Sequence, residues 1–117
     1  MPSGRTESYL EKLYRVKAFK PVTKTSAYTA VVNDEISFNT TGGSFPITLP
    51  PTPSENDEIR FKNIATKEVL LANPLTILRN GKTIGGIADD ISVSTLLIEF
   101  RLVYNNGSWR VALWVHL

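Results

Sequence analysis

Between Tyr28 and Val111 the chain is one continuous succession of short runs in which apolar residues alternate with polar ones, each run ended by residues that favour turns. That period of two constrains the fold more than any other feature, because it places every second side chain on one face of an extended segment. Tyr28, Ala30 and Val32 alternate first; then come Ile36, Phe38 and Thr40 after a turn at Asn33-Asp34-Glu35, and Phe45, Ile47 and Leu49 after Thr41-Gly42-Gly43-Ser44. The first two runs read as a hairpin. Pro46 cannot donate to a ladder and predicts that its strand lies at an edge or has its free side facing out. Pro50 to Asn56 reads as a loop leading to Asp57–Asn63, where Ile59 and Phe61 point one way and Arg60 and Lys62 the other.

Residues 65–72 fit either a short strand or a turn of helix. Alternation resumes at Leu75–Leu78, turns at Asn80-Gly81, and continues through Thr83-Ile84 and Ile91–Val93. The last two runs, Leu96–Tyr104 and Trp109–His116, face each other across Asn105-Asn106-Gly107-Ser108 and read as a long hairpin. Ile98, Phe100, Leu102 and Tyr104 on one strand, with Trp109, Val111, Leu113 and Val115 on the other, are expected to share the core.

With 117 residues the chain is the size of one domain, and 42% hydrophobic with 21% charged residues is ordinary globular usage, so disorder is not indicated. No apolar run approaches the ~20 residues of a spanning helix, and the N-terminus lacks the apolar centre of a signal peptide, so no membrane partner is expected. The chain has no cysteine, which excludes disulfides, thiolate metal sites and cysteine nucleophiles.

The net charge of +2 conceals an asymmetry. Residues 1–24 hold six basic and two acidic residues, net +4, whereas the remainder holds seven basic and nine acidic, net −2. Residues 1–24 therefore read as a basic arm, helical or extended, on a domain spanning 25–117. Ser8 and Glu11 have capping-box spacing, and Tyr9, Leu10, Leu13 and Tyr14 recur on one helical face over about residues 7 to 17. A helix that short needs a surface to pack on, its own domain or a neighbour. Pro21 ends the helical tendency, and Lys20–Ser26 reads as an extended connector. Arg5, Tyr9, Leu10, Leu13, Tyr14, Arg15 and Lys17 are the docking candidates: the apolar residues anchor, and the cations match acidic groups on an acceptor.

The second face of the terminal hairpin is unusually apolar for a solvated surface. It carries Leu97, Val103, Ala112 and Trp114 beside Glu99, Arg101, Arg110 and His116. Either it forms a second packing layer, or it is a contact between subunits, for which Leu97, Glu99, Arg101, Val103, Arg110, Ala112 and Trp114 are the interface candidates.

No catalytic, metal-ligating or cofactor-binding residues are expected. His116 is the only histidine, which excludes a histidine-based triad or a multi-histidine metal site. The carboxylate pairs Asp34-Glu35, Asp57-Glu58 and Asp89-Asp90 are adjacent in sequence, so on a strand the two members point to opposite faces and cannot flank a sugar. Gly85-Gly86 lacks the lysine and hydroxyl of a phosphate loop and reads as a bulge or tight bend. Nucleic-acid binding finds no interleaving of exposed aromatics with cations along the strands, leaving only the basic arm as a candidate. A surface glycan remains a candidate ligand through Trp114, since Trp109 is in register with the core.

The segment Tyr28–Pro50 (YTAVVNDEISFNTTGGSFPITLP), followed by NDEIRF, NPLTILRNG and LVYNNGSWRV, resembles a β-rich module of tailed-bacteriophage virion proteins: tail fibres, tail spikes, neck or baseplate appendages and head-associated fibres. The resemblance covers about residues 28 to 111. It implies a structural role in a virion, assembly as a homotrimer, other virion proteins of tail, neck or capsid as partners, and synthesis in the host cytoplasm. Because the module here follows a short arm directly, an adaptor, connector or decoration subunit is expected rather than a receptor-binding tip. The alternative is a carbohydrate-binding module for host attachment. The expected fold is all-β, an antiparallel β-sandwich or compact β-prism of about seven or eight strands, preceded by the arm.

Overall fold

The computed structural model describes residues 18–94 and 99–113, the side chain of Leu113 excepted. These residues form ten strands and one short helix, in the order β1 (Lys20–Lys24), β2 (Tyr28–Thr29), β3 (Asp34–Phe38), β4 (Pro46–Thr48), β5 (Glu58–Asn63), α1 (Lys67–Ala72), β6 (Leu75–Leu78), β7 (Thr83–Ile84), β8 (Ile91–Val93), β9 (Glu99–Asn105) and β10 (Ser108–Leu113). The arm residues before Ala18 lie outside the described residues, as do Ile98 and Val115 of the expected core.

The strands lie in two mixed sheets, not in an antiparallel sandwich or prism. Sheet A has the order β1-β3-β5-β9-β10-β7 and sheet B the order β2-β4-β6-β8. For its first six strands the chain passes alternately from sheet A to sheet B, so each return lays a strand parallel to the one before: β1 on β3 and β3 on β5 in sheet A, β2 on β4 and β4 on β6 in sheet B. Among the described strands, β9 joins β5 and β10 antiparallel, and β8 joins β6 antiparallel. A parallel pair needs a long return path, and here the second sheet supplies it.

The expected first hairpin is replaced by a corner. Asp34 donates its N–H to the Val31 carbonyl at 3.0 Å and Asn33 takes φ +72°, which carries the chain from sheet B to sheet A instead of folding β2 back on β3. Asn80-Gly81 makes a second corner, from β6 in sheet B to β7 in sheet A, held by the Asn80 amide donating to the Leu49 carbonyl at 2.9 Å. Asn106-Gly107 does close a two-residue hairpin, with φ +51° and +79° as a type I′ turn requires.

β4 is an inner strand, not an edge, so of the two expected arrangements Pro46 adopts the second, its donor-less side turned away from the pairing. The Phe45 carbonyl accepts from Thr76 N–H on β6, so the Pro46 nitrogen faces the other way, where β2 begins only opposite Ile47. Lys20–Lys24, read as a connector, is extended but paired along its length with β3. Residues 67–72 settle as helix: Thr66 Oγ1 accepts from Val69 N–H at 3.2 Å, Leu70 is buried, and the Asn73 amide ties the C-terminal end to the Thr40 carbonyl at 2.9 Å.

One core lies between the sheets. Ile36, Phe38, Ile59, Phe61, Phe100, Leu102 and Trp109 from sheet A meet Ile47, Leu75, Ile77 and Val93 from sheet B. Each of the larger side chains contributes roughly 1.5–3 kcal/mol by leaving water. Phe61 and Phe100, opposite each other in register, stack at 4.8 Å with their planes 7° apart. Trp109 meets the edge of Tyr104 at 5.4 Å. Val111 shares their register but is 45% exposed, since it lies past the end of β7, which flanks only Ser108 and Trp109.

Candidate functional site

Alternation along β5, β9 and β10 sends one set of side chains into the core and the other onto the outward face of sheet A. The outward set is Glu58, Arg60 and Lys62 on β5, Glu99, Arg101 and Val103 on β9, and Arg110 and Ala112 on β10, with Glu35 added from β3. The register puts Arg60 directly opposite Arg101, an arrangement of like charges that is unfavourable by itself. Glu58 resolves it. Its Oε2 accepts from Arg60 Nε at 2.9 Å and its Oε1 lies 3.4 Å from Arg101 Nη1, while its side chain is only 4% exposed.

The network continues on both sides. Glu35 lies 3.7 Å from Arg60, and Lys62 lies 3.5 Å from Glu99, its register partner. Phe19 stacks its ring over the Arg60 guanidinium at 3.7 Å. Arg110 is used locally, donating to the carbonyls of Asn105 and Asn106 at 3.2 and 3.3 Å and clamping its own hairpin turn.

A second polar cluster sits at the corner between β2 and β3. Asp34 is fully buried; its Oδ2 accepts from the Tyr28 hydroxyl at 2.7 Å and from Val31 N–H at 2.8 Å, and its Oδ1 faces the Lys20 ammonium at 3.8 Å. Burial first, then the hydrogen bond to Asp34 and the charge of that carboxylate, push the Tyr28 phenol up to about 12. The cluster ties β1 and β2 to β3.

Of the interface candidates, Glu99, Arg101, Val103, Arg110 and Ala112 are brought together on one outward face, whereas Leu97 and Trp114 lie outside the described residues. All seven docking candidates, Arg5, Tyr9, Leu10, Leu13, Tyr14, Arg15 and Lys17, also lie outside them, as does His116. The adjacent carboxylates divide as strand geometry requires, with Asp34 inward and Glu35 outward. Elsewhere carboxylates hold turns: Asp57 accepts from Ser54 N–H, Asp90 from Arg79 N–H, and Glu55 from Asn106 N–H. Gly85-Gly86 forms the tight bend anticipated, closed by mutual backbone bonds between Ile84 and Ile87. Among the described residues no group of three metal-ligating side chains converges, and no helix is long and apolar enough to cross a membrane. Trp109 is buried in the core and cannot present its face to a sugar.

Sequence reasoning missed Phe19, Tyr28 and the role of Glu58. The signal for Glu58 was present, because Glu58, Arg60 and Lys62 share one parity and Glu99 and Arg101 share another. What was missing was the pairing that places Arg60 against Arg101. Each carboxylate of this face lies within ion-pair distance of a cation.

No protein-family model matches the chain, and no curated protein matches it.

Proposed function

We propose that the chain is a structural subunit of a tailed-bacteriophage virion: a small homotrimeric fibre-like, adaptor or decoration protein held on tail, neck or capsid through its basic arm. The observation that carries this reading is the outward face of sheet A, where Glu35, Glu58, Arg60, Lys62, Glu99 and Arg101 are matched to one another in a mesh of ion pairs. Such a face offers shape and a fixed charge pattern to a neighbouring protein, with no chemistry attached. On this reading the protein is made in the host cytoplasm and resides in the particle.

The test is incorporation into particles together with solution mass. Because Lys20–Lys24 is a strand of the body, the truncation removes residues 1–17 only. The full chain is expected to scatter light as a trimer and to copurify with particles; the truncated chain should keep its mass and fail to copurify. A full-length chain that is monomeric and absent from particles refutes the reading.

A further inference from the structure

We propose that Asn106, in the turn between β9 and β10, is a site of spontaneous deamidation in the folded protein, and that the fold protects the same dipeptide at Asn80-Gly81. The reaction is intramolecular. The backbone nitrogen of the following glycine bonds to the side-chain carbonyl carbon Cγ, the Cγ–Nδ2 bond breaks, and ammonia leaves with the proton that the glycine nitrogen gives up. Water then opens the cyclic imide at one carbonyl to give aspartate, or at the other to give isoaspartate.

The sequence holds two Asn-Gly pairs, and both stand in exposed turns with open space where a glycine Cβ would go, so neither glycine nitrogen is screened. Their asparagines also share one backbone conformation, φ +51°. What separates them is the side-chain amide. Asn80 Nδ2, the group that must leave, donates to the Leu49 carbonyl at 2.9 Å, which holds Cγ away from Gly81. Breaking that bond also takes a donor from the carbonyl of a buried residue. The corner is fixed around it: Asp90 accepts from Arg79 N–H at 2.8 Å, and the Arg79 guanidinium donates to the Lys82 carbonyl at 3.1 Å.

Among the described residues, Asn106 is held through its backbone instead. Its N–H donates to the Glu55 carboxylate at 3.0 Å and its carbonyl accepts from Arg110 Nη2 at 3.3 Å, so its side-chain amide is left to turn onto Gly107. The turn also closes the end of a hairpin, a place that opens locally more readily than a corner between two sheets. The product has a consequence for the same contact. Conversion puts a carboxylate on the residue whose N–H Glu55 accepts, and like charges then meet there. Isoaspartate, in addition, lengthens the backbone of a turn whose register depends on two residues.

The full-length protein is incubated in mildly alkaline buffer, native in one sample and unfolded in urea in the other, and chymotryptic peptides are followed over time by mass spectrometry with fragmentation. In the native sample Asn106 is expected to convert about tenfold faster than Asn80, the factor that one hydrogen bond at the upper end of the usual range supplies. In urea the two sites should convert at similar rates, since the dipeptide alone then decides. Equal rates in the native sample, faster conversion at Asn80, or no conversion at Asn106 while the urea sample converts would each overturn the proposal. The same preference for Asn106 in urea would overturn it as well, because the fold would then not be its cause.

Discussion

The Tyr28 hydroxyl donates to Asp34 Oδ2 across 2.7 Å, joining sheet B to sheet A at the corner between β2 and β3. The phenol is held up to about 12, above its unfolded value of about 10. A group whose folded pKa is raised contributes stability that is complete below the unfolded value and lost as pH rises through the folded one. The urea midpoint is therefore expected to fall between about pH 10 and 12 by more than it does in Tyr28→Phe. That variant should also lose about 1–3 kcal/mol at neutral pH, because the buried carboxylate loses a donor. Parallel pH profiles for the two proteins would remove the assignment.

Glu58 separates two arginines that register places opposite each other. Glu58→Ala should cost roughly 2–3 kcal/mol, and because the carboxylate is buried the loss should persist in high salt. Denaturant unfolding at low and high ionic strength measures both. A loss that vanishes in salt would mean the pairs act only as surface charges.

Phe61 and Phe100 lie where parallel pairing gives way to antiparallel. Each single change to alanine should cost about 3–5 kcal/mol. Their double-mutant cycle should show a coupling of about 0.5–1.5 kcal/mol beyond burial. Additive losses would show that the stacking geometry contributes nothing of its own.

Gly107 holds φ +79° in the β9–β10 turn, whereas Gly42 has no left-handed backbone and open space where a Cβ would go. Gly107→Ala should destabilise by about 1–2 kcal/mol, and Gly42→Ala should be neutral or stabilise by up to about 1 kcal/mol. Thermal melts of the two variants should move in opposite directions or only the first should move.

The places of the strands and the core were legible because alternation reports burial directly: Ile36, Phe38, Ile47, Leu49, Ile59, Phe61, Leu75, Ile77, Phe100, Leu102 and Trp109 are all fully buried. Partners and directions were not legible, since alternation is the same in parallel and antiparallel strands. Nor does a fixed repeat betray the stacked turns. Lys20 meets Asp34 after 14 residues, Glu35 meets Arg60 after 25, Tyr28 meets Ile47 after 19 and Pro46 meets Thr76 after 30. The Pro50–Asn56 loop and α1 stretch the later returns and hide the period. Five interface candidates came together because residues of one parity on a hairpin share a face whichever way the rest of the fold runs. Glu58 escaped because its burial depends on β9, distant in sequence.

β1 ends sheet A with Lys20, Pro21 and Lys24. Its Lys20 N–H and Lys24 carbonyl bond to Asn33 and Asn39, which flank β3, and this turns Pro21 to the open side, where an incoming strand would need a donor that proline lacks. Head-to-tail growth by strand addition requires every copy to offer two receptive edges, and in sheet A one of them is closed. Growth of sheet A by strand addition at the β1 edge is therefore disfavoured, whatever the edge offered to it by another copy.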